Sequence, residues 1–317
     1  MLGINSRDDN RVTLLEAGAG IGAGYATYSY TKTLARKPYG KYILRQLEKL
    51  PEDESLEFSR AAKEALKKNH LDKKGVCIVD VNPTNVDKIT DAMTRLLNQS
   101  SRSKKIGAKN GKTPVAKTKL EKKLEELTKK LSKRNEEKFS KAIKVISEGK
   151  NACYIPKIKK VLVNPNKMGF STFHEMGHAI NATSKGFKGA LSKSRHFIAL
   201  LAPVVLFTSL IKKKKAPEEQ PKNTTDKVNT FVKNNCGKLM FLAMVPTILE
   251  EGLASINAAK IAKDVLKPDM VKKMNTLNAK AWGSYVFGAL AMSVCGALAV
   301  WVKDRVAQPE LAIKKTT

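Results

Sequence analysis

The stretch Phe170-Ser171-Thr172-Phe173-His174-Glu175-Met176-Gly177-His178-Ala179-Ile180-Asn181-Ala182 decides how this chain is read. Its texture is helical, and Ser171 and Thr172 are the expected N-caps after the polar run Asn164 to Lys167. Residues four apart on a helix lie one above the other. His174 and His178 therefore aim two imidazoles at one point, the geometry of two protein ligands of a catalytic zinc. Glu175 lies about 100° around the helix from His174. That puts it beside such a metal, where a carboxylate takes a proton from metal-bound water. The chain has four histidines, and two fall in this frame. The bland alternative is a helix that happens to carry both, since a five-residue motif is short.

Upstream, Ile158 to Val163 (IKKVLV) predicts a short strand halted by Asn164-Pro165. A strand before an H-E-x-x-H helix is the arrangement of zinc peptidases, with a sheet edge open to an extended peptide. A catalytic zinc needs a third protein ligand and an open fourth position. The metzincin continuation is absent, because Asn181 and Ser184 replace its glycine and third histidine. No acidic residue occurs between His178 and Glu218, so the remaining ligands to weigh are His196, Glu218, Glu219, Asp226 and the pair Glu250-Glu251. That pair stands in the middle of an apolar helix, Leu239 to Ala262. Ionisable groups there are costly and mark either function or a partner. The plain alternative is ion pairing with lysines, or capping of a helix break at Gly252.

HEMGH followed by Glu251-Gly252-Leu253-Ala254 resembles the membrane-bound gluzincin metallopeptidases, among them the heat-shock membrane peptidases and the CAAX prenyl proteases. Their pattern is H-E-x-x-H, an insertion with membrane segments, then E-x-x-A-D. The resemblance implies that His174, His178 and Glu251 hold Zn2+ and that Glu175 is the general base, with Glu250 the alternate ligand. It departs from the pattern at Ser255, in the place of the aspartate that orients the first histidine. A serine can accept the imidazole N–H, without charge. The likeness covers two short windows and nothing in the first 150 residues.

The net charge of +30 points to an anionic surface. Residues 281–302 hold no charge and carry Trp282 and Trp301 near their ends, which suits a bilayer span with interfacial indoles. Residues 239–260 are long enough to span, and 197–211 suit a short span or a re-entrant hairpin before Lys212 to Lys215. Near the N-terminus, Gly18 to Gly24 lacks the third glycine of a dinucleotide loop, with Ala23 in its place, and no acid follows until Glu48. The frames Gly18/Gly22 and Gly20/Gly24 suit close helix packing in a membrane instead. Asp8 and Asp9 argue against a cleaved signal peptide. Cys77, Cys153, Cys236 and Cys295 form no C-x-x-C, so neither a disulfide framework nor a thiolate zinc site is expected.

The remainder predicts a possible strand at Val12 to Leu15, helices at 39–50, 54–68 and 84–97, and a strand at 75–81. Both strands flanked by the later motifs end in Val-Asn-Pro, an echo that suggests neighbours in one sheet. Ser100 to Lys119 has the composition of a linker. Leu120, Leu124, Leu127, Leu131, Phe139, Ile143 and Ile146 form a helical stripe in a region where 101–160 holds 20 basic and 6 acidic residues. Covering the core is the plain reading of that stripe and docking on anionic lipid the next. Nucleic acid ranks last, since aromatics for base stacking are nearly absent.

The expected fold is mainly α (α+β): a zincin-like metallopeptidase core with several transmembrane or membrane-embedded helices. Its parts are a membrane-associated segment 1–38, an α/β unit 39–99, a basic linker and amphipathic helix 100–150, a catalytic region 151–305 and a tail 306–317. The positive-inside rule places the metal helix on the cytoplasmic side. The expected function is zinc-dependent hydrolysis of a peptide or membrane-protein substrate at an anionic bilayer, with His196 or Tyr285 as oxyanion partners. The rival is a non-enzymatic basic membrane protein that binds lipid or scaffolds partners.

Overall fold

Val81-Asn82-Pro83 and Val163-Asn164-Pro165 end neighbouring strands, as their echo suggests. In the computed structural model, β1 (Cys77–Asp80) pairs in parallel with β3 (Lys160–Val163), Asp80 opposite Val163, and β2 (Cys153–Ile155) pairs antiparallel on the other side of β3. The structure describes residues 51–106, 136–211 and 223–306, together with positions 18, 19, 21, 22, 25 and 26. Outside the described residues lie the expected strand 12–15, the helix 39–50, Leu120 to Leu131, Glu218, Glu219, the side chain of His196 and most of the tail. The chain forms two units, one from Leu44–Lys185 with Leu253–Asn278, the other from Met1–Ile43, Gly186–Gly252 and Ala279–Thr317.

In the first unit, the middle strand β3 buries Val161, Leu162 and Val163 completely, as a strand covered on both faces must. Helix α1 (Glu52–Lys68) starts with three acids and ends with two lysines, matching its dipole. Helix α2 (Val86–Ile106) outruns the expected 84–97, so the start of the expected linker is helical. Helix α3 (residues 136–147) carries the described end of the apolar stripe. Ile143 and Ile146 are buried with Val81, Met93 and Leu162, so this part of the stripe covers the core.

The entry to the motif helix differs from expectation. Asn164 is the cap: its side chain accepts from the Asn166 amide and starts α4 (Pro165–Met168) with proline in the first turn. Gly169 and Phe170 stay in the right-handed helical region and lead directly into α5 (Ser171–Thr183), so Ser171 and Thr172 are buried helix residues and cap nothing. Gly169 is required by contact, because a Cβ there would strike the Ser55 carbonyl. The Ser55 hydroxyl accepts from the Gly169 amide at 2.9 Å and donates to the Pro165 carbonyl at 2.7 Å.

The second unit is helical. It contains α6 (Phe187–Ala199), α7 (Leu201–Ile211) and α8 (Thr224–Asn234), the first part of α9 (Cys236–Ala262) and the second part of α10 (Pro268–Val306). Within it α9 and α10 run antiparallel: the Ser293 hydroxyl donates to the Gly237 carbonyl and the Trp282 indole to the Ile248 carbonyl. With 27 and 39 residues, both are long and apolar enough to cross a membrane. The expected segment 197–211 belongs to a longer element, since Phe187–Arg195 and Phe197–Ile211 together pass the same test with a 44° bend. Arg195 pairs with Glu250, while Leu210 joins Cys236 and Met240 in one apolar cluster. The bent pair thus runs beside α9 in the opposite direction. Pro203 sits in the first turn of α7, where its missing N–H disrupts no hydrogen bond. The described N-terminal positions are helical, yet a Cβ at Gly18 or Gly22 would meet nothing within 4 Å. Among the described residues, the expected close packing of that frame is not found.

Candidate metal centre

Helix α5 places the two motif histidines on one face, one turn apart. Their Nε2 atoms are 3.1 Å apart and their rings meet edge to face at 4.7 Å. His178 is buried and His174 half-buried. Donor atoms of His174, Glu175 and His178 all lie within 4.8 Å of one another, a group able to hold a metal ion. At zinc–nitrogen distances of about 2.0–2.1 Å, tetrahedral ligand nitrogens stand roughly 3.3 Å apart. The observed spacing is close to that edge, so the pair fits a tetrahedral ion with little movement.

Glu175 points to the sheet. One carboxylate oxygen accepts from the Tyr154 amide of β2 at 2.6 Å. Sequence reasoning did not find β2, because three residues before a proline are too short to display alternation. Beside it, burial and then the Glu175 charge push the Cys153 thiol up to about 12, so it stays protonated near neutral pH.

The part of α9 from Leu253 onward packs against α5 in the same unit. The backbones approach closely, since a Cβ on Gly177 would strike the Ala254 carbonyl. Ala254 is itself fully buried. This contact explains the small residues Gly177 and Ala254 in the two motif windows. One turn further along, the Asn257 side chain donates to Asn181 Oδ1 at 2.7 Å, and both asparagines are buried. Between these contacts Ser255 Oγ lies 3.3 Å from His174 Nδ1, where it can orient that ring.

In the other unit, Glu250 and Glu251 are both buried. A single nitrogen, Arg195 Nη1, pairs with Glu250 Oε2 and with Glu251 Oε1, the latter at 2.9 Å. Among the described residues, an arginine from α6 is thus a shared partner of the two acids, where the sequence suggested lysines. The available signal was charge matching between two apolar helices, since Arg195 directly precedes the apolar run after His196. Asp226 lies in the first turn of α8, where a carboxylate suits the helix N-terminus. Tyr285 stands part-exposed on α10.

Comparison with protein-family models, curated proteins and solved structures returns no match.

Proposed function

We propose that the chain is a membrane-embedded zinc metallopeptidase in which His174, His178 and Glu251 hold the ion and Glu175 is the general base. The observation that carries this reading is the imidazole pair of α5, with Nε2 atoms 3.1 Å apart and His174 Nδ1 turned to Ser255. Glu251 is supported by register: it precedes Ser255 by one turn on an unbroken helix. The likeness to membrane-bound gluzincin peptidases rests on these same residues.

Zinc in such a site supplies Lewis-acid polarisation of the scissile carbonyl and a more acidic water. The protein supplies orientation and proton transfer. With Nε2 of His174 turned to His178, its Nδ1–H would donate to Ser255, which would fix the tautomer and the ring plane for holding an ion. The Tyr154 amide holds one oxygen of Glu175 and leaves the other to take a proton from the attacking water and deliver it to the leaving amine.

Helices α9 and α10, with the bent pair α6–α7 as a third crossing, support a multi-pass arrangement. The basic run 31–195 favours a cytoplasmic metal helix by the positive-inside rule, and anionic lipid is the surface that a charge of +30 attracts. The substrate class is a peptide or a membrane protein. Cleavage assays in lipid vesicles test the proposal. Glu175→Gln retains zinc and loses about 10²–10⁴-fold in cleavage rate. Undiminished cleavage by that variant removes Glu175 from the mechanism. Zinc retention by a native chain that cleaves nothing supports the rival reading, a structural metal in a basic membrane protein.

A further inference from the structure

Resting on that metal-centre reading, we infer that Arg195 is a stand-in cation for the Glu250-Glu251 pair, and that metal loading exchanges its guanidinium for the ion on Glu251 while Glu250 keeps it. Three observations carry this. The acids are adjacent in sequence and buried within an apolar helix, where a carboxylate without a counter-charge is costly. One nitrogen of Arg195 serves both carboxylates, as a bridging cation would. Among the described residues, its Nε is buried without a hydrogen-bond partner.

The last point separates a stand-in from a permanent structural pair. Arginine binds a carboxylate best through its planar fork, with two parallel N–H···O bonds. Here the fork is unused, and a buried donor is left unsatisfied at a cost in stability. A guanidinium that returned to Glu250 alone could adopt the two-point geometry once Glu251 turned to the metal. The exchange turns only the guanidinium and the Glu251 carboxylate, and it keeps Glu250, the more deeply buried acid, paired throughout. Arg195 is in this account a positioning residue: it touches a ligand carboxylate and sets how readily that carboxylate is surrendered.

The test is zinc affinity of the purified full chain in detergent, measured by competition with a chromophoric chelator. Arg195→Gln removes the competitor. Because loss of the guanidinium beside a buried carboxylate could prevent folding, the double variant Arg195→Met with Glu250→Gln removes both charges together. Each folded variant is expected to bind zinc at least about 10-fold more tightly than the native chain. A second readout is thermal unfolding with and without chelator. Chelation is expected to lower the Tm of the double variant more than that of the native chain, because the native chain regains its arginine pair. Equal or weaker zinc binding by the variants, with zinc bound to the native chain, overturns the exchange and leaves the metal centre standing. No zinc binding by native chain or variants overturns the metal centre and the exchange with it.

Discussion

The two units of this protein distribute polarity in opposite ways. Around the sheet, Phe58, Val161, Leu162 and Phe173 are fully buried, and charged side chains stand outside. In the helical unit, Phe197 is 71% exposed, Phe207 65% and Trp301 57%, whereas Glu250 and Lys303 are 0% and 1% exposed. Lys303 donates to the Ser209 carbonyl, and Lys233 pairs with Asp304 at 2.9 Å. Exposed aromatics and buried charges are the distribution expected of helices that face lipid, and two helices of this unit, of 27 and 39 residues, are long and apolar enough to cross a membrane. The contrast fits a chain whose helical unit associates with a membrane through helices long and apolar enough to cross it, while the sheet-bearing unit buries its own apolar side chains.

Glycine gives the largest expected contrast. Gly177→Ala forces a Cβ into the Ala254 backbone and destabilises the sheet-bearing unit by about 3 kcal/mol. Gly288 in α10 has open space, so Gly288→Ala is neutral or stabilising by up to about 1 kcal/mol. Denaturation of both variants in vesicles measures the pair, and equal losses would break the comparison. Next comes arginine at exposed valines. Val294 on α10 and Val145 on α3 are both exposed. Val294→Arg costs about 2.5–3.5 kcal/mol if α10 lies in lipid, whereas Val145→Arg stays within about 0.5 kcal/mol. Similar small costs at both positions would place both units in water.

Ser255→Ala sharpens the contrast at the junction of sequence and site. Losing the orienting hydroxyl weakens zinc binding about 10–100-fold, and Ser255→Asp strengthens it, as read by chelator competition. The smallest effect is chemical labelling. Cys77 is exposed, while Cys236 and Cys295 are buried and burial pushes the Cys153 thiol up to about 12. A water-soluble maleimide at pH 8 is expected to modify Cys77 alone, with Cys153 reacting only as the pH climbs toward that value. Mass spectrometry shows the pattern, and prompt labelling of Cys236 would contradict the buried helical core.

Helix α5, both long apolar helices and the pairing of β1 with β3 were legible in the sequence, because each rests on a local pattern: i,i+4 spacing, apolar length, or a strand stop. Features that depend on contact between distant segments were not. Arg195 is one charge among many until α6 lies beside α9. Gly177 is an unspecified motif position until Ala254 meets it. Asn164 won the cap from Ser171 because Pro165 had already started the helix. Glu251 sits between these cases: its helix was legible, and the ligand role proposed for it rests on register with Ser255.

Zinc K-edge X-ray absorption on the purified, zinc-loaded chain tests the central proposal most directly. The account predicts two imidazole nitrogens and carboxylate oxygen at about 2.0–2.1 Å, with a shell that changes in Glu251→Gln and in His178→Ala. A chain that retains no zinc, or a shell without imidazole, would contradict it.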